Sequence, residues 1–196
     1  MSAQKTLKGT RTEQNLAQAY IAESTAVTRY TYYAESAEKE QYFQVADIFT
    51  ETAANELHHG KIFLKYLTEG AVRAEGPVGV DPGRLTPTTD NLAIAATEEL
   101  HEGVEMYTRA ADVAEQEGFA DIAARFRAIA EVERHHRDRF LTLKKRIDDG
   151  TMWKREKPIR WQCLVCGYIF EGTEPPEVCP ACLHPYQHYI PAEENY

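Results

Sequence analysis

Two units on this chain place a glutamate three residues before a histidine: Glu56-Leu57-His58-His59 and Glu133-Arg134-His135-His136. A helix turns by about 100° per residue, so positions three apart differ in direction by roughly 60°, and each Glu and its partner, His59 or His136, reach the same point. Both pairs can chelate a metal. One such pair alone says little, because they are frequent on charged helix surfaces. Here they fall on apolar helical seams that carry three more glutamates: Glu23, Glu99 and Glu102. A carboxylate in an apolar seam loses several kcal/mol or more of hydration unless it is neutralised, paired or metal-bound. Mixed carboxylate and imidazole ligation with open positions suits iron or manganese better than a closed zinc site. The other chemical cluster is Cys163-Leu164-Val165-Cys166 and Cys179-Pro180-Ala181-Cys182, two chelating turns that form a tetrahedral thiolate signal, with spacing that suits zinc and iron alike.

Four long segments must position the carboxylates, and each repeats its apolar residues at alternating spacings of four and three, as helices facing one bundle core do. The first is expected from about Thr12 to Gln41, opened by a capping box of Thr10 and Glu13, with Leu16, Tyr20, Glu23, Val27, Tyr30, Ala34 and Ala37 along its seam. The second runs from about Gln44 to Thr68 and closes at Gly70, the third from Asn91 to Glu117 before Gly118, and the fourth from Ala120 to Asp148. Short links around Tyr42 and Gly118 make antiparallel pairs. The stretch from Gly70 to Asn91, with Pro77, Pro82 and Pro87, is too long and broken for a tight hairpin and reads as a crossover along the bundle. That central connection is the ferritin-like topology.

A bundle of this type holds two metals with one glutamate from each of two helices and a Glu-x-x-His from each of the others. The matching set is Glu23, one of Glu99 or Glu102, Glu56 with His59, and Glu133 with His136. Tyr30 and Tyr107 lie close enough along their helices for their hydroxyls to approach the site, whereas His58, His101 and His135 are expected to face solvent or a neighbouring helix. After Gly150 the helical period stops. Residues 151–196 are therefore expected to form a second, small domain stapled by metal, following a helical domain of residues 1–150.

The formal net charge of −9 argues against nucleic acid or an anionic membrane as partner. The polar N-terminal segment and the lack of an 18-residue apolar run predict a cytoplasmic protein, in which paired cysteines favour metal over disulfides.

From about Leu7 to Tyr189 the order of these motifs resembles the rubrerythrins. The resemblance is carried by Ala22-Glu23-Ser24 ahead of Tyr30, Glu56 with His59, Glu99 and Glu102 ahead of Glu105-Met106-Tyr107, Glu133 with His136, and a rubredoxin-like Cys-x-x-Cys-Gly-Tyr followed by Cys-Pro-x-Cys. It implies an all-α ferritin-like bundle with a di-iron centre, followed by a small rubredoxin-like β/loop domain with one iron held by Cys163, Cys166, Cys179 and Cys182. In that family the extra glutamate and the histidine of the second helix, here Glu102 and His59, alternate as ligands when one iron moves on reduction. The activity implied is a peroxidase that reduces hydrogen peroxide to water, with electrons from an external donor protein, a rubredoxin or its NAD(P)H-linked reductase. Glu102, Tyr30 and Tyr107 are the expected catalytic proton donors, and a head-to-tail homodimer is the expected assembly. Iron oxidation and storage, or an electron carrier with zinc in the thiolate site, are the alternatives.

Overall fold

The computed structural model describes residues 6–74, 85 and 87–193. Helix α1 spans Arg11–Lys39 and α2 spans Phe43–Leu64. A third long rod follows in three parts: α3 over Thr88–Glu98, a π-helical segment π1 over Glu99–Met106, and α4 over Tyr107–Gln116. Helix α5 covers Ala120–Asp148. Helices α1 and α2 pack as one pair, and α5 packs along α3, π1 and α4. Of the crossover, Pro77 and Pro82 lie outside the described residues.

The helix ends explain the turns. At the start of α1, the Thr10 hydroxyl accepts from the Glu13 amide at 3.1 Å, and the Glu13 carboxylate accepts from the Gly9 amide at 2.7 Å, one residue earlier than a capping box requires. Two further caps come from distant turns: Glu117 accepts from the Thr12 amide at 2.9 Å, and Glu40 accepts from the Thr88 amide at 3.0 Å. Each places a carboxylate on N–H groups that lack an intrahelical partner at a positive helix end, and the Glu40 cap accounts for α3 beginning three residues before the expected Asn91. Helix α2 stops at Leu64 rather than Thr68, because Tyr66 and Leu67 bond back three residues, to Phe63 and Leu64, in a tightened turn. After α4, Phe119 bonds back to Ala114 at 2.8 Å with Gly118 at φ +77°. The α1–α2 turn repeats this closure, Tyr42 to Ala37 at 2.9 Å, with Gln41 at φ +65° where glycine is usual.

The bundle core has two apolar layers with a polar one between them. One layer holds Tyr33, Phe49, Leu92 and Phe140, and the other Leu16, Phe63, Phe126 and Ile129. Each helix passes from one to the other through its ligand-type residues, so Glu23 lies between Ala19 and Tyr30, Glu56 between Ala53 and Phe63, and Glu133 between Ala130 and Phe140. Tyr20, expected on the seam, is 36% exposed at the edge of the bundle.

Beyond α5 the chain forms an antiparallel three-stranded sheet in the order β2-β1-β3, from β1 (Ile159–Cys163), β2 (Ile169–Gly172) and β3 (Tyr189–Pro191). Trp161, Cys163, Cys179 and Tyr189 make its own small core. This unit sits on the α1–α2 turn: Trp153 stacks on Tyr42 with centroids 5.7 Å apart, and His188 stacks on Phe43 at 3.9 Å.

Candidate metal centres

Four helical rods bring Glu23, Glu56, His59, Glu99, Glu133 and His136 into one buried layer. They form two groups of four: Glu23, Glu56, His59 and Glu133, and Glu56, Glu99, Glu133 and His136, the ligand atoms of each lying within 4.8 Å of one another. Glu56 and Glu133 belong to both. His59 Nδ1 is 2.8 Å from Glu56 Oε2 and 3.0 Å from Glu133 Oε1, while His136 Nδ1 is 3.1 Å from Glu56 Oε1 and 2.9 Å from Glu133 Oε2. Each shared carboxylate thus turns one oxygen to either side. Glu23 completes the first side, with Oε1 3.8 Å from His59, and Glu99 completes the second, with Oε1 3.8 Å from His136. The two tyrosines follow the same near-twofold pattern: Tyr107 donates to Glu23 at 2.6 Å and Tyr30 to Glu99 at 2.5 Å.

The donor atoms themselves test whether metal fits. Both oxygens of Glu133, Oε1 of Glu56 and Nδ1 of His136 are buried without an aligned hydrogen bond, although neighbours stand about 3 Å away. Close approach without donor alignment means lone pairs converging on common points, the arrangement cations require and hydrogen bonds do not. The residues fit two metals joined by two carboxylates.

Glu102 is placed apart. It is half-buried, outside both groups, and lines a cavity of about 20 Å³ beside Glu23, Arg29, Tyr30 and Glu99. The cause is π1. A π turn bonds five residues back and is wider than an α turn, so three residues fall further short of a full turn and Glu102 rotates away from the direction of Glu99. His58, His101 and His135 are exposed.

Three neighbours of the site had no signal in the ligand spacing. Asn55 Nδ2 lies 3.4 Å from His136 Nε2, where an amide can hold the ring's orientation once its oxygen is turned to accept from Nε2–H. Arg29, 8% exposed, pairs with Glu98 at 3.1 Å on the rim of the cavity. Gly103 lies against Glu133 so closely that a Cβ there would be 2.5 Å from Glu133 Cβ. A glycine inside a helical pattern was the one available clue to it.

Electrostatics without metal show the cost of this layer. Burial, with the charges of Glu56 and Glu133, pushes the Glu23 and Glu99 carboxyls well above their ordinary range. Burial would push the two histidines down, but Glu133 and Glu56 hold them protonated, His59 up to about 10 and His136 up to about 9. Burial likewise pushes Glu133 up, yet His136 and His59 bring it below the usual range. The sign of the linkage follows. Groups with raised pKa values hold protons that the unfolded chain releases above about 4.5 for carboxyls and 6.5 for histidines, so stability declines as pH rises through those windows. Glu133 acts oppositely, losing its contribution only as pH falls below the ordinary carboxyl range. The thermal midpoint of the chelator-treated chain is therefore expected to fall between pH 5 and pH 9, and iron loading, which needs deprotonated ligands, to oppose that slope. Calorimetry across the range checks this; a metal-free midpoint that rises with pH contradicts it.

The cysteine site is also a paired structure. Gly167 bonds back to Cys163 at 2.8 Å and Leu183 to Cys179 at 2.9 Å, closing two equivalent turns. Cys163 and Cys182 sulfurs are 3.7 Å apart and Cys166 and Cys179 sulfurs 3.6 Å, far beyond the roughly 2.05 Å of a disulfide and in keeping with four thiolates around one ion.

The model of the family described as rubrerythrin matches residues 14–144, and that described as the rubrerythrin rubredoxin-like domain matches residues 161–189. The chain belongs to the rubrerythrin family. It is 45% identical to rubrerythrin-1 of Clostridium acetobutylicum, over 98% of this chain and 100% of that protein. It is 42% identical to rubrerythrin of Nitratidesulfovibrio vulgaris, over 94% and 96% respectively. Among solved structures, nigerythrin in a mixed-valence state aligns with a TM-score of 0.60 at 27% identity, covering 98% of this chain and 91% of that one. The rubrerythrin chain thus carries a ferritin-like di-iron carboxylate and histidine site and a rubredoxin-like four-cysteine site. Among the described residues no helix is long and apolar enough to cross a membrane.

Proposed function

We propose that this rubrerythrin is a peroxidase that reduces hydrogen peroxide to water, with electrons entering through the four-cysteine site. In this reading Glu23, Glu56, His59 and Glu133 hold one iron, Glu56, Glu99, Glu133 and His136 the other, and Cys163, Cys166, Cys179 and Cys182 the third, the chain dividing near Gly150 into residues 1–150 and 151–196. When bound, the bundle irons supply the two electrons that break the O–O bond.

The observation that carries the proposal is the small cavity of about 20 Å³ beside the carboxylate layer, bordered by Tyr30, Tyr107 and Glu102. Its size suits a two-oxygen molecule. Peroxide reduction consumes protons, and these residues can hold them. Burial keeps the Tyr30 and Tyr107 hydroxyls protonated, with Glu99 and Glu23 respectively adding to the effect. Burial and the neighbouring Glu98 push the Glu102 carboxyl up against the opposing pull of Arg29, which makes it the more readily exchanging proton carrier. Its position off the ligand groups, with His59 turned in, suits the arrangement in which His59 rather than Glu102 is the ligand.

Electron delivery favours a second copy. The cysteine unit touches the bundle at Phe43, and the helix from there to Glu56 is roughly 20 Å long at 1.5 Å per residue, so a head-to-tail homodimer would place a partner's thiolate site nearer. The donor would be a rubredoxin or an NAD(P)H-linked reductase, in the cytoplasm.

Anaerobic mixing of the reduced, iron-loaded protein with one equivalent of peroxide should reoxidise the bundle site faster than oxygen does. Glu102→Ala should lower that peroxide-to-oxygen ratio by roughly 100-fold, the lower end of what one positioned proton donor contributes. Equal rates with both oxidants in the unaltered chain would support iron oxidation and storage instead, and a colourless four-cysteine site after iron reconstitution would favour the zinc reading.

A further inference from the structure

The small sheet contains a buried hydroxyl that the proposed chemistry does not use. Tyr189 begins β3 and pairs across the sheet with Cys163. It is fully buried, packed with Trp161, Cys163 and Cys179. The indole N–H of Trp161, in the same cluster, donates to the Gly172 carbonyl at 3.0 Å. The Tyr189 hydroxyl is buried without a hydrogen-bond partner, on a side chain packed against Cys163 and Cys179. Buried tyrosine hydroxyls are seldom left unpaired, since an apolar surround offers nothing to replace lost water.

We propose that Tyr189 is a positioning residue for the four-cysteine iron: its O–H donates to the Cys179 sulfur and raises the reduction potential of the site. The inference rests on iron occupying that site. On reduction the iron takes one electron from a one-electron protein donor, ferric becoming ferrous, with no bond broken and no proton moved. The added charge spreads onto the four sulfurs, so a hydrogen bond to one of them is stronger in the ferrous form and favours it. The turns that hold the sulfurs close through the backbone, Gly167 to Cys163 and Leu183 to Cys179, whatever the side chains. The Tyr189 hydroxyl is a donor that one side-chain change removes, which makes it a sequence-encoded control on the potential.

The test is spectroelectrochemical titration of the thiolate-to-iron charge-transfer bands in the full-length, iron-loaded protein. Tyr189→Phe keeps the ring and deletes the hydroxyl. The equilibrium constant for reduction is expected to fall about tenfold, which for a one-electron couple is 59 mV, with a shift of the bands, whereas Tyr186→Phe, on the exposed side of the same unit, leaves both in place. Substituting 3-fluorotyrosine for Tyr189, a stronger donor of nearly the same size, should move the potential in the opposite direction; a merely structural role would not produce opposite signs. An unchanged potential in Tyr189→Phe with iron bound, or no upward shift with the fluorinated side chain, overturns the proposal. Failure of the unaltered chain to bind coloured iron overturns the reading beneath it and the proposal together.

Discussion

Cys163→Ala is expected to abolish peroxide turnover driven by an external donor protein while sparing one turnover of the chemically reduced bundle. Cys163 is fully buried at the end of β1, and its sulfur is 3.7 Å from that of Cys182, so its loss leaves three sulfurs around an incomplete site. Donor-linked turnover should drop by roughly 100-fold or more, the upper end of what even an outer partner of a metal contributes. Among the described residues β1 packs chiefly on β2 and β3 and the two ligand sets are separate groups, so stopped-flow mixing of dithionite-reduced protein with one equivalent of peroxide should still give an oxidation phase at the unaltered rate. Loss of that phase would mean that the two sites do not have separate roles. The assay also separates electron entry from chemistry, which a steady-state rate alone does not.

Gly103→Ala should be as damaging, although alanine favours helices by about 1 kcal/mol over glycine. The new Cβ would lie 2.5 Å from both Cβ and Cγ of Glu133 and 3.3 Å from Glu99 Oε2. Cβ atoms are fixed by the backbone, so relief must come from moving π1 away from α5 or rotating Glu133 out of the layer. Glu133 stands in both ligand groups, and either movement disturbs both metals. Overpacking of this kind costs about 1–3 kcal/mol, which for a chain of this size lowers the thermal midpoint by roughly 2–4 °C per kcal/mol. The sharper readout is metal content: the bundle is expected to retain fewer than two irons after desalting, with peroxide turnover down by roughly 100-fold. Two firmly bound irons with unaltered spectra would show that the close approach does not matter.

The Cys163 prediction rests on chemistry that spacing already shows, whereas the Gly103 prediction rests on packing alone. The two Glu-x-x-His units and the two Cys-x-x-Cys turns are local: each places its donors together through the geometry of one helix turn or one tight loop, whatever the rest of the chain does. The seam glutamates were legible for a related reason, because a carboxylate among apolar residues at helical period has few uses other than binding a cation. That the appended unit has β structure was expected, but the order of its strands and the buried hydroxyl of Tyr189 were not legible, because pairing β1 with β3 joins residues separated by the whole four-cysteine loop. The Glu117 and Glu40 caps escaped for the same reason, being exchanges between distant ends of the bundle.

From its amino acids alone this chain is a four-helix carboxylate and histidine bundle with a four-thiolate appendage, because ligand type, helical period and turn chemistry are all short-range. Only the packed structure decided that Glu99 rather than Glu102 joins the inner layer, that Glu56 and Glu133 each turn an oxygen to both sides, and that Tyr30 and Tyr107 close onto opposite ends. Those outcomes depend on a π-helical segment, which alters the angle between residues without altering their spacing, and on a glycine whose missing Cβ lets two helices approach. Neither effect has a local energy that spacing records; both arise where one rod meets another.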